Sequence, residues 1–310
     1  GVQTCALPIS ETVSQARQML VAWTRLRLEN LAVGFARNQL DAFPYDPEVW
    51  FLTSQMLVTA RQWDELRGVA LRLRRNTTLS GFFAGYLDFM EGTSENGNGR
   101  IDRARELFAV MLKRMPAEPV LGLDASRMLE RLGYRMEAQT VLRSLETVFG
   151  GRADYWFSMG RLAWQSRDSD ALLAAAERAY RLEPSNVEYV NHYAAALLIS
   201  RVRPAEAVQL TLQVLKDSQY AHAAIINHSF ALGRVGRIPE ARKLLDELPI
   251  SALTDEERTF WRMSMVEIEL AEGNRAAAKV HLRGIDPQYL YSSQTEWLSA
   301  TRKELDGAKP

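Results

Sequence analysis

The sequence predicts an all-α chain of about eight helical hairpins, ending in one further helix. Three observations lead there. Residues 153–184, ADYWFSMGRLAWQSRDSDALLAAAERAYRLEP, hold two short amphipathic stretches back to back, with a turn near Ser166–Asp168 and a proline after the second. A small or apolar residue recurs shortly after a turn at a nearly constant spacing along the chain. The composition, 47% hydrophobic and 25% charged with zero formal net charge, is that of a globular protein.

The hairpin at 153–184 is the clearest unit. Trp156, Met159, Gly160 and Ala163 fall on one face of its first helix at the i, i+3, i+4, i+7 spacing. Ala171, Leu172, Ala175, Ala179 and Leu182 do the same in the second. Gly160 and Ala171 are small enough to let the two helices approach closely. Pro184 cannot continue a helix, so the chain must turn and begin again.

The same slot can be followed along the chain. Gly99 precedes Ala104, Gly133 precedes Ala138, Gly236 precedes Ala241 and Gly273 precedes Ala278, while Ala32, Leu66, Ala171 and Ala207 fill the slot elsewhere. Successive spacings are 34, 38, 34, 33, 36, 34 and 37 residues. GRIDRARELF at 99–108 also matches GRIPEARKLL at 236–245. A helix–turn–helix period near ~34 residues, with Trp156, Gly160, Ala179 and Pro184 in one unit and Gly236, Ala241 and Leu245 in another, resembles the tetratricopeptide repeat family. The resemblance covers roughly 15–285 and is strongest over 118–249. It implies a right-handed superhelix, or α-solenoid, whose first helices line a concave wall and whose second helices face outward. Two stretches depart from the pattern. Thr93–Gly99, TSENGNG, reads as an inserted loop, and the unit near 259–278 lacks the aromatic–small pair and follows a loop at Pro249–Thr254.

Taken in order, residues 1–9, GVQTCALPI, are expected to be non-native, because a common sequencing-adapter end translates to that peptide. They contain the single cysteine, Cys5, so disulfide and thiol chemistry are not expected. The solenoid is assigned to 10–291 and a capping helix with its tail to 292–310. Helices are expected near 11–27, 29–43, 48–60 and 63–75, with Trp23 and Phe35 as apolar anchors in the first pair. Leu71–Arg75 is a basic cluster, read as a solvated face with an acidic surface as the alternative. Phe82, Phe83, Tyr86 and Phe89 are expected to share one helix as core. Pro204 and Pro239 suit the first turn of a helix, where a missing N–H costs nothing. Thr254–Glu257 and Ser293–Glu296 read as capping boxes. The second opens a final helix through about Leu305 that carries Trp297 and resembles the polar cap a solenoid needs for solubility.

No catalytic constellation emerges. The sequence has no HExxH, no GxSxG, no phosphate-binding glycine loop and no dinucleotide fingerprint. His192, His222, His228 and His281 lie on expected helices without metal-ligand spacing, so neither metal nor cofactor is expected. Asn76-Thr-Thr78 and Asn227-His-Ser229 match glycosylation sequons, the second inside a helix. Charge balance argues against nucleic acid as the main partner, and no apolar run approaches the ~18 residues that span a bilayer. Arginine outnumbers lysine 32 to 6, a bias of bacterial style that reads first as genome composition.

The resemblance implies a non-enzymatic scaffold that holds a partner peptide or helix in its concave groove. Alternatives are the C-terminal arm of a larger enzyme, regulator or membrane-anchored protein, and a self-associating assembly subunit. The expected partner-binding face comprises Leu123, Arg127 and Arg131, then Phe157, Arg161 and Trp164, then Asn191, and finally Ile226, Phe230 and Arg234. Its apolar floor with arginines predicts a protein or peptide ligand with apolar anchors and at least one acidic group, since arginine grips a carboxylate bidentately. It does not match the lysine–asparagine clamp that some family members use for a C-terminal carboxylate; only Asn191 and the arginines resemble it.

Overall fold

The computed structural model describes residues 12–26, 29–116, 118–216 and 221–307. The expectations for residues 1–9 and Cys5 lie outside the described residues, as does the side chain of Ala32. Among the described residues there are α-helices and short 3-10 turns and no strand, in keeping with the expected all-α class.

The chain divides into two compact units between Glu146 and Thr147. The first holds four hairpins: α1 (Val13–Arg25) with α2 (Glu29–Ala42), α3 (Pro47–Thr59) with α4 (Trp63–Arg75), α5 (Tyr86–Gly97) with α6 (Ile101–Arg114), and α7 (Pro119–Arg131) with α8 (Arg135–Ser144). A short helix, α9 (Glu146–Phe149), marks the division. The second unit holds α10 (Ala153–Gln165) with α11 (Ser169–Leu182), α12 (Val187–Ile199) with α13 (Pro204–Val214), α14 (Ala221–Arg234) with α15 (Ile238–Asp246), and α16 (Asp255–Ala271) with α17 (Arg275–Arg283). The final helix is α18 (Ser292–Gly307).

From α3 onward every first helix ends the same way. A residue with positive φ follows it: Arg61, Gly99, Gly133, Arg167, Arg201, Gly236 and Gly273. The next amide then bonds back five residues, as in Gln62 N–H to Leu57 O, Tyr134 N–H to Leu129 O and Asn274 N–H to Glu269 O. This is the Schellman closure, which satisfies carbonyls the helix would leave orphaned. Five residues past the turn sits the helix–helix contact: Leu66, Ala104, Ala138, Leu172, Ala241 and Ala278 are fully buried. In the α10–α11 hairpin that slot belongs to Leu172, one residue beyond the expected Ala171. In α12–α13 a second left-handed residue, Arg203, lengthens the turn, so Ala207 takes the slot six residues on.

Three local expectations are corrected. Thr93–Gly97 is helix, not loop, because α5 packs closely on its neighbours. Ser94 Oγ donates to Trp63 O at 2.6 Å. Gly97 lies on the Trp63 ring, where an added Cβ would come within 2.2 Å. The residues that lengthen this repeat lie instead in the connection 76–85. Phe82 and Phe83 fall in that connection and not in the helix. Gly85, at φ 78° and pressed on Met115 O, redirects the chain before Tyr86. At α18 the helix begins at Ser292, and Gln294 Oε1 accepts from Tyr291 N at 3.1 Å, so Ser293–Glu296 is not the box.

Other expectations match. The Thr254–Glu257 capping box forms, and Pro204 and Pro239 sit in first turns. Trp23 stacks on Phe35 with centroids 5.6 Å apart. The basic cluster of α4 finds its acids within its own unit: Arg72 bonds Asp41, and Arg74 bonds Asp88 and Glu91. Asn76 of the first sequon donates to Pro44 O at 2.9 Å.

Ala241 is fully buried where α15 meets α14, and Ser229 Oγ donates to its carbonyl at 2.7 Å. Ala241→Trp overpacks this contact and is expected to cost roughly 1–3 kcal/mol. Thermal melts should show the loss spreading to neighbouring hairpins, since stacked repeats share stability through their interfaces; a wild-type melt would refute the placement.

Candidate functional site

The residues of the expected partner-binding face lie on first helices of both units, and the two units place them differently.

In the first unit, Asp124 of α7 draws α3 and α5 to it. Gln55 Nε2 donates to Asp124 Oδ1 at 2.6 Å, and the Tyr86 hydroxyl donates to Asp124 Oδ2 at 2.5 Å. Burial pushes the Asp124 carboxyl above its ordinary range, while the bonds from Tyr86 and Gln55 and the charges of Arg127 and Arg131 pull it back. Burial, then Asp124, pushes the Tyr86 phenol well up, so it stays a donor. Val120, Asp124, Arg127 and Arg131 follow one another at i, i+4, i+7 and i+11, hence on one face of α7. Val120 is 60% exposed, and Arg127 and Arg131 are exposed. Leu123 is buried and is part of the core.

The second unit turns most of its inner surface on itself. Phe157 packs against Tyr189 and His192, and Trp164 against His192 and Tyr291. Arg161 is exposed and Asn191 half-buried, while Ile226 and Phe230 are buried. Arg234 does not reach an open groove. Its guanidinium bonds Glu267 and donates to Leu198 O at 2.6 Å, and it lies 4.0 Å from the Phe230 ring centroid. Arg201 bonds the same Glu267, so one carboxylate gathers the ends of α12 and α14 onto α16.

The C-terminal segment completes this surface. The Ser292 and Ser169 hydroxyls lie 2.7 Å apart across 123 residues of sequence, and Ser293 Oγ donates to Ile199 O at 2.7 Å. Arg201 lies over Trp297, and Arg167 over Tyr291 while it bonds Glu256 at 2.7 Å. Gln294 of this segment lines a cavity of about 140 Å³. Trp164, Leu198, Ile199, Ile226, Phe230 and Phe260 give it apolar walls, and Asn227, Glu256, Glu257 and Gln294 bring polar groups to it. The structure therefore gathers Trp164, Ile226 and Phe230 of the expected face at one cavity. It places Arg127 and Arg131 on the other unit.

Sequence reading does not single out Asp124, Glu267 or Gln294, and it gives Tyr86 a core role without its bond to Asp124. Asp124 left a signal, an acid on the expected inner face between Leu123 and Arg127. Glu267 left none, because its partners lie 33 and 66 residues away.

His192 is wedged among Phe157, Trp164 and Gly160, and its Nδ1 has no partner. Burial, with Arg161 adding to it, pushes the imidazole down to about 4. A base depressed on folding stabilises the fold fully above its ordinary value near 6.5. As pH falls below that, the unfolded chain takes up the proton first, and the contribution is lost towards pH 4. Between pH 7 and 4.5 the melting temperature of His192→Leu should fall less than that of the wild type. Equal falls would show that His192 is not held neutral.

No family model matches the chain, and no curated protein does. Among solved structures it resembles a tetratricopeptide repeat protein from Parabacteroides merdae, at 11% identity and a TM-score of 0.45 over 93% of this chain and 99% of that one. It also resembles the C-terminal part of a TPR repeat-containing protein from Cytophaga hutchinsonii, at 13% identity and 0.47 over 83% and 98%. The APC/C hetero-tetramer Cut9–Hcn1 is a third, at 13% identity and 0.46 over 94% of this chain and 57% of that one.

Proposed function

We propose that the protein is a non-enzymatic scaffold and that a partner protein binds the α3–α5–α7 face of its first unit. The observation that carries the reading is the Asp124 junction. By hydrogen-bonding Gln55 and Tyr86 at once, it makes one surface of three helices and sets Arg127 and Arg131 one and two turns along from it. The neighbouring Val120 offers apolar contact. Such a face suits a segment with an apolar anchor and an acidic group, because arginine binds carboxylate in a planar fork. In the second unit Arg234 is committed to Glu267 and is not assigned an acid-binding role.

A photo-crosslinking residue at Val120 should yield a discrete protein adduct in the native host. Arg127→Gln with Arg131→Gln should abolish that adduct while the helical circular dichroism persists, a control that is needed because both guanidinium charges favour the ionised Asp124 carboxyl. The same probe at Met136 of α8, which is 73% exposed, is the outward control and should stay silent. An adduct at Met136 alone, or one at Val120 that survives the double substitution, would refute the assignment.

A further inference from the structure

The cavity of the second unit has a chemistry that the scaffold reading does not use. At about 140 Å³ it has room for a benzene-sized guest, and its large apolar side chains stand beside Asn227, Glu256, Glu257 and Gln294. Among these polar residues Gln294 stands out. Gln294 is fully buried, and its Nε2 has no hydrogen-bond partner. The amide cannot be turned over to cure this, because Oε1 already accepts from Tyr291 N at 3.1 Å and a reversed amide would set donor against donor. A buried donor without an acceptor is costly, so an acceptor brought to it is favoured. The two carboxylates at the cavity act the other way. Glu256 is tied to Arg167, and Glu257 is tied to Thr254 through the capping box. Both remain beside the cavity and disfavour an incoming anion.

We propose that this cavity is a binding site for a neutral molecule of single-ring size that carries one hydrogen-bond acceptor. The ring fills the space among Trp164, Ile226, Phe230 and Phe260, and a small rotation of Gln294 brings its Nε2 to the guest's carbonyl or ether oxygen. The site needs no partner protein, so it stands or falls separately from the scaffold reading.

Three probes of similar size resolve the chemistry on the full chain: acetophenone, ethylbenzene and benzoate. Ligand-observed NMR titration should show saturable binding of acetophenone, with contacts to the Trp164 indole protons. Ethylbenzene, which lacks the acceptor, should bind roughly tenfold more weakly, the ratio expected for one hydrogen bond to a buried donor. Benzoate should bind more weakly than either. Gln294→Leu should bring acetophenone down to the level of ethylbenzene, and Ala195→Phe, which fills the cavity from α12, should abolish both. Should either variant fail to fold, the ranking on the wild-type chain and the Trp164 contacts decide alone. Absence of saturable binding, equal affinity for acetophenone and ethylbenzene, or a preference for benzoate would overturn the proposal.

Discussion

A left-handed residue ends every first helix from α3 to α16, and both the hairpin and the repeat follow from it. Once the φ of that residue is positive, the following amide bonds five residues back and the chain reverses. The second helix then starts at a set distance, and its contact residue arrives five positions later. That is why fully buried Ala104, Ala138, Ala241 and Ala278 all stand at one offset from a glycine. Where arginine takes the turn, the left-handed strain has local compensation in two of three places. Arg167 bonds Glu256 and covers Tyr291, and Arg201 bonds Glu267 and covers Trp297. Arg61 sits exposed, with no compensation of that kind among the described residues.

This explains what could be read from the sequence. The glycine turns and the small residue after them are local, so the hairpins, their number and the two first-turn prolines were legible. Arg167 is not legible as a turn residue, because nothing in arginine announces positive φ, and the expected slot Ala171 lies one short of Leu172, whereas Leu66 and Ala207 hold after Arg61 and Arg201. The TSENGNG stretch misled for the opposite reason. Its glycines and small polar residues read as a loop, yet they lie in a helix against Trp63, where small size is needed for close approach and not for a turn.

The candidate site was legible only in part, because it depends on pairings far apart in sequence. Arginines on an expected inner face looked equivalent in the sequence. In the structure Arg127 and Arg131 lie on the surface beside a half-buried carboxylate, and Arg234 is held inside by Glu267. The inner surface of the second unit is largely satisfied by its own C-terminal segment, through Tyr291, Ser292, Ser293 and Trp297. What that segment leaves is a small, mostly apolar cavity at which Gln294 Nε2 lacks a hydrogen-bond partner.

The left-handed turn sets the repeat, and Gly133 isolates it. Its φ is 88°, and an added Cβ would meet nothing within 4 Å, so Gly133→Ala changes backbone strain and no packing. The direct measurement is the unfolding free energy of Gly133→Ala against the wild type in urea. The account predicts a loss of about 1–2 kcal/mol, the cost of a left-handed conformation for a residue with a Cβ. A variant as stable as the wild type, or more stable, would contradict it.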